Sequence, residues 1–223
     1  MYPEFITNKF SGLDVHIVGS GASLVGFDYS FFNNKTVIAI NHAYKITHSD
    51  YLVFNDSQFV KENGGSLEYS GNVLCPRRIQ HDGANKIEFD LVNTFYSDPT
   101  KGVYTWRSSA LSAITIALQG NANRVFIWGI DCRFFSKNEI IKIAKENSND
   151  QKIIDYIEGS ERLIWTHSTD DKFNHTMSRP RDEKVFSDVV NYFGVFPTDK
   201  IINMSEYSTI PFFKKAKINE IVW

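Results

Sequence analysis

Short apolar runs that stop abruptly at small or polar residues restrict this chain more than any other feature. Val15-His16-Ile17-Val18 runs straight into Gly19-Ser20-Gly21-Ala22-Ser23, and Thr36-Val37-Ile38-Ala39-Ile40 stops at Asn41. Tyr51-Leu52-Val53-Phe54 stops at Asn55-Asp56, Asn72-Val73-Leu74-Cys75 at Pro76, and Arg124-Val125-Phe126-Ile127-Trp128 at Gly129-Ile130-Asp131. Such runs are too brief for buried helices. They also lack the strict alternation of a half-solvated antiparallel strand, so they read as parallel strands covered on both faces. Between the fourth and fifth run lies Ser108 to Gln119, with Leu111, Ile114 and Leu118 at helical spacing and Ala110, Ala113 and Ala117 small enough for close packing on a sheet. A helix followed by a strand is half of a right-handed parallel crossover. The expected class is α/β, and open sheets of this kind bind ligands at the carboxyl ends of their strands.

The remaining segments are less regular. Residues 83–102 predict a meandering loop with one short strand. Ser136 to Gly159 gives two amphipathic stretches, Ile140 to Ala144 and Ile153 to Ile157, read as a mobile helical lid inserted over about 133–180. Asp182 to Phe193 predicts a helix with Gly194 as its C-cap, and Lys200 to Met204 the last strand. At 223 residues, 42% hydrophobic and 22% charged, the chain can bury a core as one domain and is not a disordered one. A net charge of −2 excludes an overall basic footprint for nucleic acid. Cys75 and Cys132 are too few for a disulfide framework or a cysteine zinc site and read as buried free thiols. The N-terminal residues lack the basic and apolar regions of a signal peptide, and no run reaches the roughly 18–20 apolar residues that span a bilayer. The expectation is a cytoplasmic protein with no membrane span.

Several residue groups can carry chemistry. Glycines after a strand let backbone amides approach an anion, and the Ser23 hydroxyl can donate to a phosphate; a tight turn without ligand is the simpler reading. On the anion reading, Gly21→Val abolishes nucleotide binding and leaves the fold largely intact. The loop is not a dinucleotide fingerprint, because Leu24 stands where the third glycine belongs and Asn41 closes the second strand in place of an acidic residue. Nor does Gly-Lys-Ser/Thr follow, so it is not a Walker loop. Asn41 and Asn55 offer donor and acceptor to a base or ribose, or else close turns. Trp106-Arg107-Ser108-Ser109 opens a helix, where it can hold an anion or simply supply a cap. His16 lies mid-strand and reads as core, while His42, His48 and His81 show no metal-ligand spacing. His167 and His175, in a polar stretch, are candidates for a general base, with solvated loop residues as the alternative.

The order of these pieces resembles the small bacterial sialyltransferases of glycosyltransferase family 42. The similarity is carried by Val15-His16-Ile17-Val18-Gly19-Ser20-Gly21-Ala22-Ser23-Leu24, by Phe27-Asp28-Tyr29-Ser30, by the strands ending at Asn41 and Asn55, and by Trp128-Gly129-Ile130-Asp131. It covers most of residues 14–205, loosely through 60–105 and 133–165. Related phage proteins and pterin pyrophosphokinases share much of the pattern, and a phage or bacterial origin fits that spread. The resemblance implies a Rossmann-like parallel sheet with helices on both faces and a small helical lid. It implies inverting transfer from a CMP-sugar, with a histidine base, no metal and no cofactor beyond the donor. Gly19, Ser20, Gly21 and Ser23 would then meet phosphate and ribose, and Asn41 and Asn55 the nucleotide or sugar. Trp106, Arg107 and Ser108 would lie by the CMP, and Gly129 and Asp131 by its base or ribose. His175 would be the base, with His167 as rival. Ser20 replaces the family's Asn and Ala22 its Pro. Arg133 follows Cys132 where the family has tyrosines that help the leaving phosphate, and its charge can serve instead.

The partners implied are a nucleotide-sugar and an acceptor: a glycan, a small metabolite or a modified base in DNA. A homo-oligomer is compatible with this reading. Two other readings compete. One is a Mg²⁺-dependent phosphotransferase or pyrophosphotransferase using Asp56, Asp131 and the Asp170-Asp171 pair. The other is a nucleotide-binding module without catalysis.

Overall fold

The computed structural model describes residues 1–223 except Ser66, 82–84, Arg107, Phe134, Asn149 and 160–179, and except the side chains of 180–183, 185 and 186. The strands are β1 (Asp14–Val18), β2 (Thr36–Ile40), β3 (Tyr51–Val53), β4 (Asn72–Pro76), β5 (Lys86–Phe89), β6 (Leu91–Val92), β7 (Val103–Tyr104), β8 (Arg124–Trp128), β9 (Ile201–Asn203) and β10 (Lys214–Lys215). The helices are α1 (Tyr2–Ile6), α2 (Ser57–Glu62), α3 (Ser109–Gln119), α4 (Lys137–Asn147), α5 (Gln151–Gly159) and α6 (Pro180–Asn191). Eight strands form one sheet in the order β10-β9-β8-β1-β2-β3-β4-β5, every neighbour parallel, while β6 and β7 pair separately. This is the expected α/β, Rossmann-like class.

The strand order reverses around β1. The chain steps outward from β1 to β5, then returns by α3 and lays β8 on the other side of β1. Ile17 is therefore opposite Ile38 on one side and Ile127 on the other. The carboxyl ends of β1 and β8 are the switch point at which sheets of this type bind ligands.

Side-chain alternation divides the core into two layers. Val15, Ile17, Ile38, Val53 and Val125 pack beneath α1 and α3 with Ile6, Phe10, Leu111 and Ile114. Val18, Val37, Ala39, Leu52 and Trp128 face the opposite layer with Leu24, Phe32 and Phe59. Helix α3 is buried nearly all round, which its alanines permit. Its last residue, Gln119, accepts from the Tyr2 hydroxyl and donates to the carbonyls of Gly102 at 2.8 Å and Tyr96 at 3.0 Å. One buried amide thus fixes α1 and the 96–102 loop against the same helix end.

The second layer holds His16 in an aromatic nest. His16 is buried, stacked on Phe126 at 5.0 Å and covered by Trp223 at 5.6 Å. The Trp128 indole N–H donates to His16 Nδ1 at 3.2 Å, so the imidazole is held neutral as an acceptor. Burial, with Lys35 nearby, pushes its pKa down to about 3. The core reading of this histidine holds.

Four expectations need correction. Residues 83–102 contain β5 and β6 rather than one short strand, and β10 follows β9, so Lys200 to Met204 is not the last strand. Gly194 does not cap α6: the helix ends at Asn191 and a 3-10 turn, Tyr192–Val195, continues through the glycine. Cys75 is buried as expected, but Cys132 is half-buried; both are free. In the expected lid region, the described helices α4 and α5 pack against the chain that follows β1. Ile140, Ile143 and Ala144 of α4 and Ile154 and Ile157 of α5 bury Ala22 and Phe135 in a third small core. Asn147 then donates to the carbonyls of Ser23 at 3.1 Å and Val25 at 2.8 Å, clamping α4 onto the 3-10 turn Ala22–Leu24. Among the described residues, no helix is long and apolar enough to cross a membrane.

Candidate functional site

The carboxyl edge of the sheet gathers the residues singled out above into two adjoining groups. The first lies at β1 and β8. Gly19 N donates to the Trp128 carbonyl at 2.8 Å, Gly21 N to the Gly129 carbonyl at 2.9 Å, and Ser23 N to Asp131 Oδ2 at 3.0 Å. The glycine loop is thereby laced to the loop that follows β8. A Cβ on Gly21 would stand 2.4 Å from both Asp131 Oδ2 and the Gly129 carbonyl oxygen, and one on Gly19 would stand 2.6 Å from that same oxygen. These glycines exist because two backbones approach too closely for any side chain. The amides of Gly19, Gly21 and Ser23 already have acceptors within the protein. The picture of Gly21 as a glycine that can be changed without harm to the fold is thus corrected. The Ser23 hydroxyl is buried beside the Asp131 carboxylate.

Asp131 is the buried anchor of this group. Ser23 N reaches one carboxylate oxygen, and the Ser205 hydroxyl reaches the other at 2.7 Å. Burial pushes its carboxyl above the usual range, and the donors from Ser23 and Ser205 oppose that shift. The side chain expected at a base or ribose has both oxygens engaged inside the protein.

The second group lies at β2, β3 and the start of α3. Asn41 has φ +49°, a left-handed conformation that asparagine tolerates, and it turns the chain off β2. Its Oδ1 accepts from Ser109 Oγ at 3.2 Å, and that same Ser109 Oγ accepts from Asn55 N at 3.2 Å. Asn55 Nδ2 donates to Thr105 Oγ1 and Ser112 Oγ, both at 2.8 Å, and to the Ser108 carbonyl at 3.3 Å. The two hydroxyls themselves donate to the carbonyls of Ser108 and Tyr104. Their lone pairs must then face Nδ2, which fixes the amide and leaves Asn55 Oδ1 as a buried acceptor with no donor among the described residues. Ser108 is the N-cap of α3, its hydroxyl accepting from Ala110 N at 3.3 Å. Trp106 is exposed and stacks on Tyr192 with ring centroids 4.7 Å apart.

The other candidates are placed differently. Arg133 pairs with Glu139 at 2.5 Å, and its guanidinium lies over the Phe135 ring, so its charge is already engaged at the first turn of α4. Asp56 caps α2 through Gln58 N at 2.8 Å, and Asp28 caps the 3-10 turn Tyr29–Phe32. Ser20 is half-buried in the glycine loop. His42 meets Glu62 at 3.2 Å, and His48 lies 3.8 Å from Asp50. Among the described residues, no group of three His, Cys, Asp or Glu side chains is arranged to hold a metal ion. Arg107, His167, His175, Asp170 and Asp171 lie outside the described residues.

Sequence reasoning missed Ser205, Asn203, Thr105, Ser112 and Asn147, all of which orient the site. Ser205 could not be found from its surroundings, because nothing local announces a contact made 74 positions away. No family model, no curated protein and no solved structure matches this chain.

Proposed function

We propose that the chain is a nucleotide-sugar-dependent glycosyltransferase that seats its donor at the carboxyl edge of β1, β2, β3 and β8. The observation that carries this reading is the lacing of the glycine loop to Gly129–Asp131 where the strand order reverses. Open parallel sheets bind nucleotides at such a point. The row of polar strand ends beside it, Asn41 and Asn55 against the start of α3, supports a ligand rich in hydroxyl and amide groups. The resemblance to the sialyltransferases adds a CMP-linked donor and an inverting mechanism.

In that mechanism the acceptor hydroxyl oxygen attacks the anomeric carbon from the face opposite the nucleotide. The new glycosidic C–O bond forms as the bond from the anomeric carbon to the phosphate oxygen breaks. CMP leaves with the bonding pair, and the acceptor proton passes to a histidine, His175 in this reading. A positioned base is typically worth about 10²–10⁴ in rate.

The test is turnover of a panel of nucleotide-sugars, CMP-sialic acid among them, with and without EDTA. Release of the nucleotide from one donor, unchanged by EDTA and cut by orders of magnitude in His175→Ala, is expected. Strict Mg²⁺ dependence with ATP as the only substrate would move the assignment to phosphotransfer. Full activity in both His175→Ala and His167→Ala would contradict the histidine base.

A further inference from the structure

The loop after β9 is bonded to the loop after β8, which in turn holds the glycine loop. Asn203, almost fully buried at the end of β9, accepts from Ser205 N at 3.1 Å through Oδ1. That bond fixes the asparagine's orientation and leaves Nδ2 a buried donor with no acceptor among the described residues. Ser205 is turned so that its hydroxyl donates to Asp131 Oδ1 at 2.7 Å, while Asp131 Oδ2 accepts from Ser23 N at 3.0 Å. The same loop clasps the backbone on either side of the aspartate. Ser208 Oγ donates to the Ile130 carbonyl at 2.9 Å, and Thr209 N to the Asp131 carbonyl at 3.0 Å. Lys215 of β10 closes the loop by donating to the Ser208 carbonyl at 2.7 Å.

We propose that Asn203, Ser205 and Asp131 form a positioning relay that sets the conformation of the glycine loop from the β9 side, so that residues touching no ligand govern how tightly the loop holds one. The physical reason is the buried carboxylate. It stays in place only while both oxygens have donors, because a buried acceptor without one is costly. Removing the Ser205 hydroxyl frees one oxygen to seek another donor, and the Ser23 end of the bridge loosens with it. A bare loop tied only through backbone would not respond to a side chain on β9's far connection. The ligand part of this inference rests on the nucleotide reading above; the coupling between the loops does not.

Hydrogen exchange of individual amides separates the two. In Ser205→Ala, protection of the Ser23 and Gly21 amides is expected to fall at least about tenfold, while the amides of β3 and β4 keep theirs. Asn203→Ala is expected to give the same local pattern, and Ser205→Thr, which keeps the hydroxyl, to restore it. With CMP as the probe, the affinity of Ser205→Ala should fall at least about tenfold and that of Ser205→Thr should return toward the parent value. Unchanged protection at Ser23 in both alanine variants, or equal loss across the whole sheet, would overturn the relay. Local loosening in a protein that binds no CMP, before or after substitution, would uphold the relay and overturn the nucleotide reading.

Discussion

Gly21→Val is expected to destabilise the protein by about 3–5 kcal/mol, from overpacking together with a buried carboxylate that loses a donor. The Cβ would lie 2.4 Å from a backbone carbonyl oxygen and 2.4 Å from a buried carboxylate oxygen, and neither is the free end of a flexible side chain. The loop must therefore lift, which breaks the bonds from Gly21 N to Gly129 and from Ser23 N to Asp131. A loss of this size is a large fraction of the roughly 5–15 kcal/mol that holds a domain folded. Gly159→Ala is the control, since a Cβ there meets nothing within 4 Å among the described residues. Urea unfolding checks both. A Gly21→Val protein as stable as its parent would mean that the two loops do not approach as described.

Acid is expected to weaken the fold through His16. Its pKa is about 3 in the folded protein and 6.5 in the unfolded chain, so between those values the unfolded chain binds the proton and the folded one does not. Stability from this group is thus fully present above about pH 6.5 and is lost as pH falls toward 3, at up to about 1.4 kcal/mol per pH unit. Between pH 7 and pH 5 the loss amounts to about 2 kcal/mol. Lys35, Asp14 and Arg124 all act on His16. The comparison is therefore with His16→Gln, which does not titrate and can still accept from the Trp128 indole. Urea midpoints at pH 7 and pH 5 should fall further apart in the parent than in the variant; an equal fall in both would mean that His16 is not the group responsible.

What was legible in the sequence follows from how locally each feature is determined. The central strands were readable because burial on both faces demands uninterrupted apolar residues, as in Thr36 to Ile40. Helix α3 was readable because its alanines and leucines keep one period for three turns. Strands β5 and β10 were not, because their half-exposed or exposed residues include charged side chains, and β6 was not, because two residues are too few to show a period; the pairing of all three depends on partners elsewhere in the chain. The site was legible as a set of strand ends but not as a network. Gly21 signalled close approach, yet the sequence could not say whether a phosphate or the Gly129 carbonyl lies opposite. Asn41, Asn55 and Ser108 stood out singly, and only the fold shows that all three meet Ser109 or its neighbours. Arg133 offered a free positive charge until Glu139 was seen beside it.

The most direct test of the central claim is a crystal structure of the protein grown with CMP. The account predicts the nucleotide at the carboxyl edge of the sheet, with its phosphate beside residues 19–23 and its ribose or base against Asn41, Asn55 and the start of α3. CMP bound anywhere else on the molecule, or an edge still empty at saturating CMP, would contradict it.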